Sequence, residues 1–123
     1  MTGVEEVPVS QLAAVSNALV ALHKHQFGRG PTKARTHYAG PDAMLCVMED
    51  ALLPAEHAMV EMGEARRVQE ARLFFQSATS QTFIEAIERI TGRTVRSFSS
   101  STDPFANVIC EIYVFVAERD GHG

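Results

Sequence analysis

Apolar residues recur at helical spacing near the start of the chain. Leu12, Val15, Leu19 and Leu22 fall on one face, which predicts an amphipathic helix over residues 10–27. Ser10 supplies a side chain suited to its N-cap. His23 and Lys24 fall in the last turns, where positive charge suits the helix dipole. The period then changes to that of strands. Residues 34–39 and 43–49, joined by Gly40-Pro41-Asp42, read as an antiparallel hairpin. The second of these strands is apolar on both faces, since Met44, Cys46 and Met48 alternate with Ala43, Leu45 and Val47. A strand of that kind is covered on both sides. Helices of the chain can cover one side, and a second copy is expected over the other.

Pro54 suits the first position of a short helix that ends at Gly63. Residues 64–91 follow as one helix, or two with a kink, stopped by Gly92. Ser77, Thr79, Ser80 and Thr82 mark the place for a bend. The apolar stripes of this helix are Val68-Ala71-Phe75-Ala78 and Phe83-Ile87-Ile90. A third strand over 94–100 runs into a loop at Ser99–Pro104, and residues 107–117 form the last strand. Its expected inward set is Val108, Cys110, Ile112, Val114 and Val116, which leaves Ile109, Glu111, Tyr113 and Phe115 on the other face. The order α-β-β-α-α-β-β predicts an α+β fold: a mainly antiparallel four-stranded sheet with helices packed on one face. One domain is expected over residues 10–118, with a loose lead-in at 1–9 and a flexible tail at 119–123.

Composition narrows the function classes. The 123 residues are 46% apolar and 21% charged, which suits one soluble domain. A net charge of −4 argues against nucleic-acid binding, which depends on cations meeting phosphates. Cys46 and Cys110 lie in apolar runs and are expected to be reduced and buried. The short acidic N-terminus has no secretory pattern. No apolar run approaches the ~20 residues that cross a bilayer. The expectation is a cytoplasmic protein, not inserted in a membrane, with any membrane link made through a protein partner. A homodimer or higher oligomer is expected from the apolar positions Met44, Met48, Tyr113 and Phe115 and the striped long helix.

The densest candidate chemistry is Gly28-Arg29-Gly30-Pro31-Thr32-Lys33. Gly28 is placed to end the first helix in a left-handed conformation. The turn leaves backbone N–H groups, Gly28, Arg29, Gly30, Thr32 and Lys33 able to face outward around a small anion. The alternative is a plain helix stop with solvated charges. It is not a phosphate-binding loop of the G-x-x-x-x-G-K-[ST] kind, whose spacing is missing. Arg72, set among Ala71, Leu73, Phe74 and Phe75, needs a partner, either a structural carboxylate or the same anion. No nucleophile motif, metal spacing or cofactor signature is present. Glu49, Asp50, Glu56 and His57 crowd together, and a small acid–base enzyme is the alternative they leave open.

These motifs bring a resemblance into view. Gly28–Lys33 after a helix, Leu53-Pro54-Ala55-Glu56, Glu70-Ala71-Arg72 and Thr91-Gly92-Arg93-Thr94-Val95 resemble the MpsC-like family, over about residues 10 to 118. These small bacterial proteins, first catalogued as a domain of unknown function, are named for a component of a sodium-translocating, membrane-potential-generating system. The resemblance implies a non-enzymatic accessory or regulatory role and transfers no catalytic residue. The family usually has a Thr-Pro helix opener. Here Leu53 stands in place of the threonine, which removes a side-chain cap.

Overall fold

A computed structural model describes residues 10–117; the expected lead-in (1–9) and tail (119–123) lie outside the described residues, as does residue 118 of the expected domain. Helix α1 (Gln11–Phe27) is followed by β1 (Lys33–Tyr38) and β2 (Ala43–Glu49). Helices α2 (Pro54–Glu61) and α3 (Ala65–Thr91) come next, then β3 (Val95–Asp103) and β4 (Val108–Phe115). The strands form one antiparallel sheet in the order β1-β2-β4-β3, so this is an α+β fold. Ser10 caps α1 by accepting the Ala13 N–H at 3.0 Å. Gly28 and Gly92 end α1 and α3 with φ of 83° and 72°, where a Cβ would be strained.

The core lies between the helices and one face of the sheet. Val15 and Leu19 of α1 and Phe83 and Ile87 of α3 pack on Met44, Cys46, Met48, Ile109, Tyr113 and Phe115. Phe98 stacks between Phe83 and Tyr113, with ring centroids 6.0 and 4.6 Å away. The facing of β4 is therefore the reverse of the sequence expectation. Ile109, Glu111, Tyr113 and Phe115 point inward, while Val108, Cys110, Ile112 and Val114 belong to the outer face. Both sets are apolar, so alternation alone could not choose. Glu111 decides it, because its partners His23, Gln76 and Ser100 lie on the helix side, where Tyr113 and Phe115 also fill the space beneath the helices. Met44, Met48, Tyr113 and Phe115 are consequently core residues and carry no argument for self-association.

Two further expectations change, and the alternative left open for α3 is settled. The strand β3 continues to Asp103, through the residues read as a loop, and the turn falls at residues 104–107. Helix α3 runs unbroken through its hydroxyl-rich middle, where Thr79 Oγ1 donates back to Phe75 O at 2.8 Å. Its buried stripe is Val68, Arg72, Gln76, Phe83 and Ile87, whereas Ala71, Phe75 and Ala78 face outward. Polar side chains occupy the centre of the inward face because the centre of the core is itself polar, as described below.

Among the described residues, no helix lies over the outer face of the sheet. Leu45 stands opposite Ile112, Val47 opposite Cys110 and Ala43 opposite Val114, which makes an apolar stripe along the two central strands. Cys46 is buried, and burial pushes its thiol up to about 11 against a smaller opposing effect of the Thr36 hydrogen bond. Cys110 is half-buried on the outer stripe, a correction to the expectation that both are enclosed. Thiol titration of the native protein should therefore label Cys110 ahead of Cys46, with Cys46 reacting only in denaturant. Equal rates would contradict this facing.

Candidate functional site

The glycine turn between α1 and β1 works as a clasp. Gly30 lies so close to α1 that a Cβ would stand 2.9 Å from Val20 O and 3.2 Å from Lys24 Cβ. Glycine at this position lets the chain turn back tightly and bring Arg29 and Thr32 to the turn that follows β2. Arg29 Nη1 donates to Asp50 O at 2.7 Å and Leu52 O at 3.3 Å, and its Nη2 pairs with Asp50 Oδ1 at 3.1 Å. Thr32 Oγ1 donates to Asp50 Oδ2 at 2.9 Å. Asp50 has φ 62°, an unfavourable conformation for a residue with a side chain, and these contacts hold it there.

The same turn is held from two other sides. Asn107, also left-handed at φ 57°, accepts the Ala51 and Leu52 N–H groups on Oδ1 at 2.9 and 3.1 Å. Its carbonyl accepts the Asp50 N–H at 3.0 Å. From α3, Arg72 reaches Ala51 O at 3.3 Å and grips Glu56 with two bonds of 2.8 and 2.6 Å. Its guanidinium lies 3.9 Å above the Phe27 ring centroid and is 2% exposed. Glu56 also accepts the Leu53 N–H at 2.8 Å, which gives α2 the cap that Leu53 cannot supply.

Arg29, Thr32 and Arg72 thus converge on residues 50–52, and each already holds a group of the chain. Gly28 supplies only the helix end. Lys33 is exposed and forms no ion pair among the described residues. The crowded carboxylates are engaged too: Glu49 accepts from Arg35 at 2.9 Å, Asp50 from Arg29 and Thr32, Glu56 from Arg72. Thr32 first, then Arg29, hold Asp50 below the usual carboxylate range. Burial pushes Glu56 up, and the Arg72 and Leu53 hydrogen bonds with the Arg72 charge more than offset this, leaving it lowered.

A second polar cluster lies at the centre of the core. Glu111 is 0% exposed, and its Oε2 meets His23 Nε2 at 3.0 Å, Gln76 Nε2 at 2.6 Å and Ser100 Oγ at 3.1 Å. Tyr113 Oη bonds Oε1 at 3.1 Å. Burial, and then the Glu111 charge, push the Tyr113 hydroxyl well above the usual phenol range, so it stays a donor. This cluster was missed in the sequence. The available signal was a single carboxylate among Ile109, Tyr113 and Phe115, a position that requires partners. A groove of about 380 Å³ between α3 and β3 passes above it, lined by Leu73, Gln76, Ser77, Phe98 and Ser100. Gln76 and Ser100 separate the carboxylate from that groove, so it is closed to a substrate.

Over residues 10–117 the chain matches the family described as Na+-translocating membrane potential-generating system (MpsC), and it belongs to that family. No curated protein and no solved structure matches it. Among the described residues, no helix is long and apolar enough to cross a membrane, and no group of three or more His, Cys, Asp or Glu side chains could hold a metal ion.

Two outcomes follow for stability. Glu111→Ala leaves buried donors on four other residues without their acceptor, and denaturant unfolding should show a loss of about 3–5 kcal/mol. Because the folded state lowers Glu56, its contribution is complete above the ordinary carboxylate value of about 4.3 and is lost as pH falls through the folded value. Glu56→Gln should therefore lower stability at neutral pH and flatten its decline in acid. An unchanged acid limb would count against the Arg72–Glu56 pair.

Proposed function

We propose that the protein is a non-enzymatic, cytoplasmic accessory module of a sodium-translocating membrane system. The observation that carries this reading is the occupancy of its acid–base candidates. Asp50 and Glu56 are ion-paired and lowered, whereas a general acid at neutral pH needs a raised carboxylate. His57 is exposed beside them and completes no constellation. Family membership supplies the system, and the outer stripe of Leu45, Val47, Ile112 and Val114 is a surface suited to a protein component of it. In this reading the module works as a homo-oligomer.

Cell fractionation tests the role. The protein should co-isolate with membranes that contain the sodium-translocating complex and move to the soluble fraction when that complex is deleted. Ile112→Lys, at a position 43% exposed, should also release it while leaving the melting temperature nearly unchanged. A distribution indifferent to the complex would remove the accessory reading.

A second reading rests on the Asp50 carboxylate, which sits in the grip of Arg29 and Thr32, next in the chain to Lys33, which forms no ion pair among the described residues. The clasp already binds one carboxylate, so we propose that a small anion binds there by displacing it, with Gly28 and Gly30 shaping the turn. Arg72 anchors the far side. Asp50→Asn should then increase stabilisation by phosphate or sulfate, to about 2.7 kcal/mol at a hundred times Kd. Arg29→Ala with Lys33→Ala should abolish it. If neither anion shifts the melting curve of Asp50→Asn at low ionic strength, the clasp is purely architectural.

A further inference from the structure

The two edges of the sheet are built differently. Edge strand β1 is six residues long and carries Lys33, Arg35 and His37, all exposed. Charge on a short edge strand is the usual protection against pairing with another chain. Edge strand β3 is nine residues long, and its run Ser97–Thr102 contains no charge and no proline. Its one irregularity falls before that run, between Val95 and Ser97. One edge is guarded and the other is open.

The ladder identifies which backbone groups are presented there. On the β2 side, Phe115 N–H goes to Asp42 O and Asn107 O accepts from Asp50 N–H. Odd-numbered residues of β4 thus bond β2, and even-numbered ones bond β3. Through the register, Ser97, Ser99 and Ser101 bond β4, while Phe98, Ser100 and Thr102 turn their N–H and C=O groups to the open edge. Helix α3 closes both ends of that row. Glu88 Oε2 accepts the Val95 N–H at 2.9 Å, and Gln69 Nε2 donates to Thr102 O at 3.2 Å. Phe98 and Ser100 are left between them, beside the α3 groove and Leu73, which is 57% exposed.

We propose that two copies of the chain pair antiparallel through β3, about a two-fold axis at Ser99, to form a continuous eight-stranded sheet. This rests on the homo-oligomeric reading and assigns its interface. In this register Phe98 of each copy exchanges both backbone hydrogen bonds with Ser100 of the other. The next register, centred on Ser100, would call on Thr102 O, which Gln69 already holds. Charge agrees with the orientation. Arg96 and Asp103 close opposite ends of the run, so antiparallel pairing sets each cation against the other copy's carboxylate, and parallel pairing would set like against like. On the helix face the grooves of the two copies then adjoin, and Leu73 contributes apolar area that strand pairing alone lacks.

Sedimentation and register-specific crosslinking test this. The wild-type protein at tens of micromolar should sediment at 27 kDa, twice the 13.5 kDa chain. Ser99 is exposed on the outer face, so Ser99→Lys should leave the melting curve of the dilute, monomeric protein unchanged and raise the dimer dissociation constant about fivefold or more. In a Cys110→Ser background, Ser99→Cys should oxidise to a covalent dimer, since directly opposed residues stand about 4.5 Å apart. Ser97→Cys should not, because four residues of offset at about 3.3 Å each separate the two thiols. A wild-type dimer in which Ser99→Cys fails to link, or Ser97→Cys links equally, overturns the β3 pairing and leaves self-association to another face. A wild-type monomer overturns both the pairing and the homo-oligomeric reading.

Discussion

A carboxylate with no exposure to water sits at the centre of this fold, and the surrounding elements are fixed by what it requires. Glu111 draws a donor from α1 through His23, from α3 through Gln76, from β3 through Ser100 and from its own strand through Tyr113. An unpaired charge in that place would cost several kcal/mol, so slipping any one element leaves a penalty that apolar packing cannot relieve. The apolar residues around it are permissive by comparison. Leucines and valines tolerate small rotations of a helix over a sheet, whereas a hydrogen bond at 2.6–3.1 Å does not. Hydrophobic burial supplies the drive to collapse, and Glu111 selects one arrangement among the collapsed ones.

This explains which parts of the structure could be read in the chain. Helix ends, turns and strand existence depend on local chemistry, and Ser10, Gly28, Pro54 and Gly92 announce them directly. Facing depends on partners far away in sequence. Both faces of β4 are apolar, and the deciding evidence is a carboxylate whose partners lie as far as 88 residues away. The same distance effect hid the inward stripe of α3. Gln76 looks like a solvent-facing residue until Glu111 is known to await it, Arg72 shows its need of a partner without showing that the partner is Glu56, and Phe75 and Ala78 look like core. The loop assigned to Ser99–Pro104 failed for a related reason. Serines have little strand preference of their own, and β3 is carried to Asp103 by pairing with the strongly β-forming β4.

The glycine turn was legible as a special place, but the identity of its ligand was not. Arg29 and Thr32 pointed to an anion, and the anion they meet is the side chain of Asp50. Composition cannot distinguish a cation cluster that waits for an external ligand from one completed by a carboxylate of the same chain. The difference lies in the left-handed turn at Asp50, which aims that side chain backwards onto the clasp. Asn107, also left-handed, holds the opposite side of the same turn, so two strained residues stabilise each other through the Asp50 N–H and Asn107 O bond. The distal loops are thereby locked to one another at this end of the sheet.

Sealing the interior and locking the loops has a consequence for how the protein can act. With Glu111 enclosed, Arg72 bound to Glu56 and Arg29 bound to Asp50, the strong polar groups are spent on holding the fold. Among the described residues, two kinds of surface then stand out: an apolar stripe on the outer sheet face, and a strand edge at which Phe98 and Ser100 turn their backbone groups outward. Both are features that recognise other chains, one by area and one by main-chain direction. They lie at right angles to each other, because a sheet's edge and its face cannot coincide. A second strand added at the edge therefore extends the sheet and leaves the face open. In the proposed pairing, self-association and engagement of another component would therefore draw on different residues of the sheet, the first on its edge and the second on its face.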